Sequence, residues 1–360
     1  MKIGILTHYT VVNQGAVLQM YALKNYLEEL GHEVYILTYT KDFDFDIGEA
    51  GKYNLSIKYF PFYFREYVLK KGIGLSWFNV KKQLLYRKYL KNNFKFANYA
   101  LTPMDAVFVG SDEVFSLDCG CNKMMYGHCV NTDRLIAYAP SFGQTGIGRI
   151  DQFHSREIIS SGLKKFHRLS ARDVNTAEVV YSLIGEKPPI VCDPVLLYDF
   201  SKVQTNIKKI KYPYLLVYAY DRSMREDDEV RAIKNYAKEK NLRLASIGTY
   251  HKWCDLNIVC NPIEWIEYFR DAAEVITDTF HGAVVSIITG KQTAFYVRDR
   301  NQNKMTSLLK MFGLENRIMK EFTEGEIRRI QDIPIDFEFV RREHEKLREQ
   351  AEQYISEALI

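Results

Sequence analysis

The sequence has no uninterrupted apolar run of roughly 18 residues or more, the length that crossing a bilayer as a helix requires. Its longest apolar stretch, Val275 to Gly290, is broken by Asp278 and His281. Nothing near Met1 resembles a long apolar core followed by a small-residue cleavage site. Met1 to Leu6 reads instead as a first strand, so no signal peptide is expected. Cysteine is sparse: six in 360 residues, without a secretion signal, predict free thiols in a reducing compartment and not a disulfide framework. Cys119-Gly120-Cys121 and His128-Cys129 match none of the usual paired zinc spacings, so no metal site is expected. The 47% hydrophobic content excludes a disordered chain, and 360 residues suggest two domains.

Acid is nearly missing from one stretch. Between Lys52 and Met104 there are eleven Lys or Arg and one acid, Glu66, a net +10, so the rest of the chain carries −6 of the total +4. The same stretch is dense in aromatics, among them Tyr59, Phe60, Tyr63, Trp77, Phe78 and Tyr86. Cations interleaved with aromatics suit contact with anionic lipid head groups or a phosphate-bearing acceptor. They also suit nucleic acid, but the acidic remainder and the lack of a recognised nucleic-acid motif argue against that partner. The plain alternative is an aromatic core under a solvated lysine face.

Hydrophobic periodicity gives an α/β alternation. Lys2 to Thr7 reads as a strand and His8 to Gln14 as a loop. Ala16, Met20, Leu23, Leu27 and Leu30 form one face of a helix that Gly31 stops, and Glu33 to Tyr39 is a second strand. Further strands are expected at Ala106 to Gly110, Leu135 to Ala139, Arg168 to Ser170 and Ile190 to Cys192. After a lysine-rich linker, 199–213, a second α/β run has strands at Tyr214 to Ala219, Leu242 to Ile247, Glu274 to Thr277 and Thr293 to Val297. The reading is α/β: two Rossmann-like, doubly wound domains, 1–198 (with the insert 52–104) and 214–334. An amphipathic helix over 335–360 follows, with Val340, Leu347, Ala351, Tyr354, Ile355 and Ala358 as its apolar stripe. In such folds ligands lie beyond the carboxyl ends of the strands.

Four loops fall at those ends. Asn13-Gln14-Gly15 opens the first helix, where backbone N–H groups can meet an anion. Ser170-Ala171-Arg172-Asp173 offers a guanidinium for a carboxylate or phosphate, or a structural Arg–Asp pair. Thr277-Asp278-Thr279-Phe280-His281-Gly282 puts His281 at a helix N-terminus, a place for a general acid or base or a phosphate ligand. Arg298-Asp299-Arg300 with Lys304 is a cationic cluster one strand beyond, or else a solvated charge run. Ser111-Asp112 ends another strand, and Asp112 is a candidate to orient or deprotonate a hydroxyl.

Taken together, these segments resemble the polysaccharide pyruvyl transferases. The matching stretches are Asn13 to Gln19, Val109-Gly110-Ser111-Asp112, Ala137 to Gly143, Ser170 to Asp173, Asp193 to Leu197, and Thr277 to Gly282. Each is common; all six in this order are specific. The resemblance implies a two-domain fold similar to the GT-B glycosyltransferases, with the C-terminal helix crossing back to the first domain. It implies an acceptor side in the first domain and a donor side in the second. The implied reaction moves pyruvate from phosphoenolpyruvate, the donor substrate, onto a sugar as a cyclic ketal, with no cofactor and no metal. Many members act on cell-surface polysaccharide precursors, often lipid-linked. The implied partners are therefore a sugar acceptor, free or lipid-linked, and a membrane surface. The implied location is the cytoplasm, including the inner face of the membrane. Arg172 matches the family arginine that contacts phosphoenolpyruvate, and His281 the histidine of donor binding and acid catalysis. Two positions depart. Thr279 stands where several members have arginine, a charge that Arg298, Arg300 or Lys304 could supply; Ala16 stands where an acid often follows the glycine. Two other readings remain open: a nucleotide-sugar glycosyltransferase on the same fold, and a non-catalytic binder of phosphosugars or acidic glycans.

Overall fold

A computed structural model describes residues 1–40, 72–203, 205–220 and 222–360. The chain forms two compact units, the first from 1–54, 93–199 and 344–360, the second from 55–92 and 200–343. The part of the basic, aromatic insert before residue 72 lies outside the described residues.

The first unit is built on β1 (Lys2–Leu6), β2 (Glu33–Thr38), β3 (Phe96–Asn98), β4 (Ala106–Val109) and β5 (Leu135–Ala137). They form one sheet in the order β3-β2-β1-β4-β5, and every pairing is parallel. Continuous apolar runs such as Ala106–Val109 are buried throughout, as strands covered on both faces must be. Helix α1 (Gln14–Glu29) buries Ala16, Met20, Leu23 and Leu27 and ends at Gly31, whose φ of +86° only glycine adopts without penalty. Leu30, the expected last member of that stripe, is the C-cap and stands half exposed. Helices α3 (Ile147–Gln152), α4 (Arg156–Leu163), α5 (Val174–Ile184) and α6 (Pro194–Leu197) complete the unit. The strands expected at Arg168 to Ser170 and Ile190 to Cys192 reduce to single bridges, Ile136 with Arg168 and Ala171 with Ile190. The cause is local: the Ser170 hydroxyl donates to the Ala137 carbonyl and accepts from the Ala139 N–H, so a side chain replaces the ladder.

The second unit repeats the pattern. Strands β6 (Tyr214–Tyr218), β7 (Arg243–Ile247), β8 (Leu256–Ile258), β9 (Glu274–Thr277) and β10 (Thr293–Phe295) lie in the order β10-β9-β6-β7-β8, all parallel. Around them lie α7 (Asp227–Glu239), α8 (Pro262–Asp271), α9 (Phe280–Ile288), α10 (Gln302–Met311) and α11 (Glu324–Asp332). The short strands β3 and β8 escape the periodicity reading, since three residues are too few to show a period, and the nine-residue helix α11 escapes it as well.

Helix α2 (Ile73–Asn93) corrects one domain assignment. The sequence reading places 52–104 in the N-terminal domain, whereas the helix up to Asn92 belongs to the second unit. Its buried Phe78 packs on the Tyr250 ring at 5.6 Å, and Gly74 lies so close to Tyr250 that an added Cβ would stand 2.3 Å from its hydroxyl. Helix α12 (Phe337–Leu359) follows α11, and from His344 it belongs to the first unit. There the Tyr354 hydroxyl donates to the Ala137 carbonyl at 2.8 Å, and His344 Nε2 lies 2.6 Å from the Leu196 carbonyl. Arg134 donates to the carbonyls of Leu359 and Ile360. Among the described residues no helix is long and apolar enough to cross a membrane.

Candidate active site

In a doubly wound sheet the strand order reverses beside the first strand, and the crevice opens there. In the first unit that point lies between β1 and β4. Thr7 follows β1 and Gly110-Ser111-Asp112 follows β4, and Gln19 of α1 ties them. Its amide donates to Thr7 Oγ1 at 3.1 Å and accepts from the Ser111 N–H at 3.1 Å, while Thr7 Oγ1 donates to the Ser111 carbonyl. Gly110 is obligatory: its φ is +125°, and a Cβ would stand 2.1 Å from the Tyr138 carbonyl oxygen. Asp112, at φ +77°, and Ala139, at +49°, sit in the left-handed region that non-glycine residues occupy at a cost.

Arg172 lies beneath this turn, with its side chain only 2% exposed. Its Nη1 donates to Asp193 Oδ2 at 3.0 Å, and its Nη2 stands 3.6 Å from Asp112 Oδ1. Asp193 is wholly buried; its other oxygen caps α6 through the Val195 N–H, and the Ser111 hydroxyl is 3.2 Å away. Burial works against the charged guanidinium, but the carboxylates of Asp112, Asp193, Asp173 and Glu113 outweigh it and hold its pKa above the ordinary arginine value. The ion pair the sequence leaves open thus exists, but with Asp193 and Asp112 as partners. Asp173 instead caps α5, accepting from the Thr176 N–H at 2.8 Å and from Ser141 Oγ at 2.6 Å. Asp112 reaches solvent, its side chain 21% exposed, and Glu113 is likewise half-buried, whereas Asp173 and Asp193 are buried.

Several sequence candidates have partners within the fold. Ser170 is fully buried and both its bonds go to backbone. Asn13 caps α1, its Oδ1 accepting from the N–H groups of Gly15 and Ala16 at 2.9 and 3.2 Å. Those donors, which the sequence reading offers to an anion, are therefore engaged by the cap itself. Gln14 and Ser111 are fully buried. The sequence reading gives no site role to His8, nor to Gln19 and Asp193, which lie inside two of the matching stretches. His8 is half-buried at the end of β1, its ring nitrogens 3.4 Å from the Tyr39 hydroxyl and 3.4 Å from the Glu113 carbonyl. Its position after a strand was the available signal.

In the second unit the reversal lies between β6 and β9, and the Thr277 to Gly282 segment sits on it. Thr277 Oγ1 donates across the gap to the Tyr218 carbonyl at 2.7 Å. Thr279 is the N-cap of α9; its Oγ1 accepts from the Gly282 N–H at 3.0 Å. Gly282 must be small, because a Cβ would stand 2.2 Å from Thr277 Oγ1 and 2.6 Å from Thr279 Oγ1. This cap sets His281 in the first turn of α9, at the positive end of the helix dipole, with 7% of its surface exposed.

Asp278 is fully buried and receives Arg298 Nε at 2.7 Å, while its carbonyl accepts from Asn301 at 2.6 Å. Arg298 also donates to Glu229 at 3.0 Å and stacks 4.8 Å from the Tyr296 ring centroid. Burial works against its charge, but the Asp278 and Glu229 carboxylates prevail and raise its pKa. Arg298 therefore latches the loop in place. The Arg300 side chain lies outside the described residues. Lys304, at the start of α10, brings its ammonium to 5.9 Å from the Phe280 ring centroid, and that ring meets His281 edge-on at 5.3 Å. Of the cationic cluster, Arg298 is paired with Asp278 of this loop, and Lys304 stands beside the Phe280 ring that meets His281. Among the described residues no group of three or more His, Cys, Asp or Glu is placed to hold a metal.

Two parallel five-stranded sheets, each with polar loops at its reversal point, define a Rossmann-like protein of the GT-B type. Solved structures agree in fold. The glycotransferase of kitacinnamycin superposes with a TM-score of 0.52 at 9% identity, covering 100% of this chain and 99% of that one. MnaA of S. aureus, in a co-structure with UDP, gives 0.51 at 12% identity, covering 98% and 94%. A search of the curated proteins finds no match. The sequence itself places the molecule: the chain belongs to the polysaccharide pyruvyl transferase family, whose model matches residues 13–300. It is a transferase.

Proposed function

We propose that this transferase moves the pyruvate unit of phosphoenolpyruvate onto two hydroxyls of a sugar in a cell-surface polysaccharide precursor, releasing phosphate. The observation that carries the reading is His281 in the capped first turn of α9, at the β6/β9 reversal, with Lys304 beside the neighbouring ring. The donor bears a carboxylate and a phosphate, which call for the helix terminus and a cation. His281 protonates the enol methylene carbon, and the adjacent carbon becomes cationic. A sugar hydroxyl attacks that carbon and loses its proton to a general base, the role expected of Asp112. Phosphate then leaves with its C–O bond electrons, and the second hydroxyl closes the ketal with loss of its own proton. Arg172 serves as a positioning residue that holds Asp112, since Asp193 already compensates its charge. Acid catalysis by a placed side chain contributes about 10²–10⁴-fold.

Phosphate release from phosphoenolpyruvate with a sugar acceptor tests this. His281→Ala is expected to lower the rate by about 10²-fold or more with an unchanged melting temperature; wild-type turnover in that variant overturns the assignment. Thermal-shift titration with phosphoenolpyruvate against UDP- and GDP-sugars separates this reading from a nucleotide-sugar transferase: stabilisation by the nucleotide sugars alone refutes it.

A further inference from the structure

Helix α2 carries two apolar faces, of which one is buried and the other is exposed among the described residues. At about 100° per residue, Leu75, Phe78 and Tyr86 fall on one side, and all three are buried. Ile73, Trp77, Val80 and Leu84 fall within about 60° of one another on the opposite side. They are 79, 60, 48 and 60% exposed. Scattered exposed apolar residues are ordinary; four in register on one helix face are a patch with a purpose. The helix also holds Lys81, Lys82, Arg87, Lys88 and Lys91, and no Asp or Glu. On the helical projection Arg87 and Lys88 flank the apolar stripe and Lys91 continues it; all three are exposed. The Lys81 ammonium lies 5.1 Å from the Trp77 ring centroid.

We propose that this face of α2 docks on an anionic phospholipid bilayer, with Trp77 and Leu84 entering the head-group layer and the cations against lipid phosphates. The charge and the stripe must be satisfied together. A nucleic-acid backbone answers the cations but offers no apolar depth to Ile73, Val80 and Leu84. A second copy of the chain meeting this face about a two-fold axis sets four cations, Lys81, Arg87, Lys88 and Lys91, against four. A bilayer surface supplies negative charge and an apolar layer a few ångströms below it, the arrangement that basic amphipathic helices use. The inference rests on the helix alone and stands whether or not phosphoenolpyruvate is the donor.

The test uses the full chain with phosphatidylcholine vesicles, with and without phosphatidylglycerol, read by co-sedimentation and by tryptophan emission. Wild-type protein is expected to bind only the phosphatidylglycerol vesicles, with a blue shift, and to be released by salt. Trp77→Ser with Leu84→Ser is expected to abolish binding. Arg87→Gln, Lys88→Gln and Lys91→Gln are each expected to weaken it about fivefold. These side chains are exposed, so thermal unfolding should be unchanged, which checks that the variants are folded. No binding to phosphatidylglycerol vesicles overturns the proposal, as does binding that both sets of substitutions leave intact. An oligomer in sedimentation that Trp77→Ser with Leu84→Ser dissociates also overturns it, by assigning the face to a second copy.

Discussion

Replacing Asp193 by alanine separates two roles for Arg172. The family resemblance makes Arg172 a donor contact; its geometry makes it the centre of a buried ion pair. The two side chains are 2% and 0% exposed with nitrogen and oxygen 3.0 Å apart, so Asp193→Ala removes the hydrogen-bonded carboxylate from a buried guanidinium and leaves Asp112, 3.6 Å away, as the nearest remaining ion-pair partner. Breaking such a pair costs about 3–5 kcal/mol, and losing the cap on the Val195 N–H adds about 1 kcal/mol. For a unit of this size the sum lowers the melting temperature by roughly 8–24 °C. Arg172→Met should destabilise by a similar amount, because it leaves the Asp193 carboxylate buried without its cation, held by the Ser111 hydroxyl and the Val195 N–H. Asp112→Asn should behave differently. Its carboxylate is 21% exposed and 3.6 Å from Arg172, so stability should fall by less than about 1 kcal/mol while turnover is lost. Thermal unfolding by circular dichroism, run beside phosphate release, reads both quantities. If Arg172→Met melts within about 2 °C of wild type and only raises KM for phosphoenolpyruvate, the scaffold argument fails.

Gly110→Ala combines a φ of +125° with a Cβ 2.1 Å from a backbone oxygen that cannot turn away, so a loss of about 3 kcal/mol or more is expected by chemical denaturation; a near-neutral change would contradict it. Thr279→Arg, the residue that the family resemblance implies there, deletes the cap of α9 at a position 1% exposed, so it should cost at least about 1 kcal/mol and lower turnover; a gain in donor affinity without loss of stability would show that the cap is dispensable. His344 gives a pH dependence. Burial lowers its pKa below the ordinary histidine value, against the opposing bond to the Leu196 carbonyl. The unfolded chain therefore takes up the proton first, and stability is full above about pH 6.5 and declines as pH falls towards the lowered folded value. His344→Gln should flatten the difference in denaturation midpoint between pH 5 and pH 8, and an unchanged slope would remove His344 as its source.

The sheet strands were legible because parallel strands buried on both faces must be continuous apolar runs; Ala106–Val109 and Tyr214–Tyr218 cannot be written otherwise. The reversal-point loops were legible because a chain that leaves such a strand for a helix needs glycine and capping residues at fixed places, as at Gly110 and Gly282. What the sequence could not rank was which polar residue of a loop faces the ligand and which supports it. Asn13, Ser170, Arg172 and Arg298 have the right chemistry and the right positions. Each is engaged by a partner distant in sequence or by the helix it caps, as with Arg172 and Asp193, Ser170 and Ala137, or Arg298 and Glu229. A buried cation is retained only where carboxylates compensate it, so the arginines best fixed by the fold are the least available to an anion. That reasoning counts against Arg298 among the three cations, Arg298, Arg300 and Lys304, that the sequence offers as the donor's charge partner.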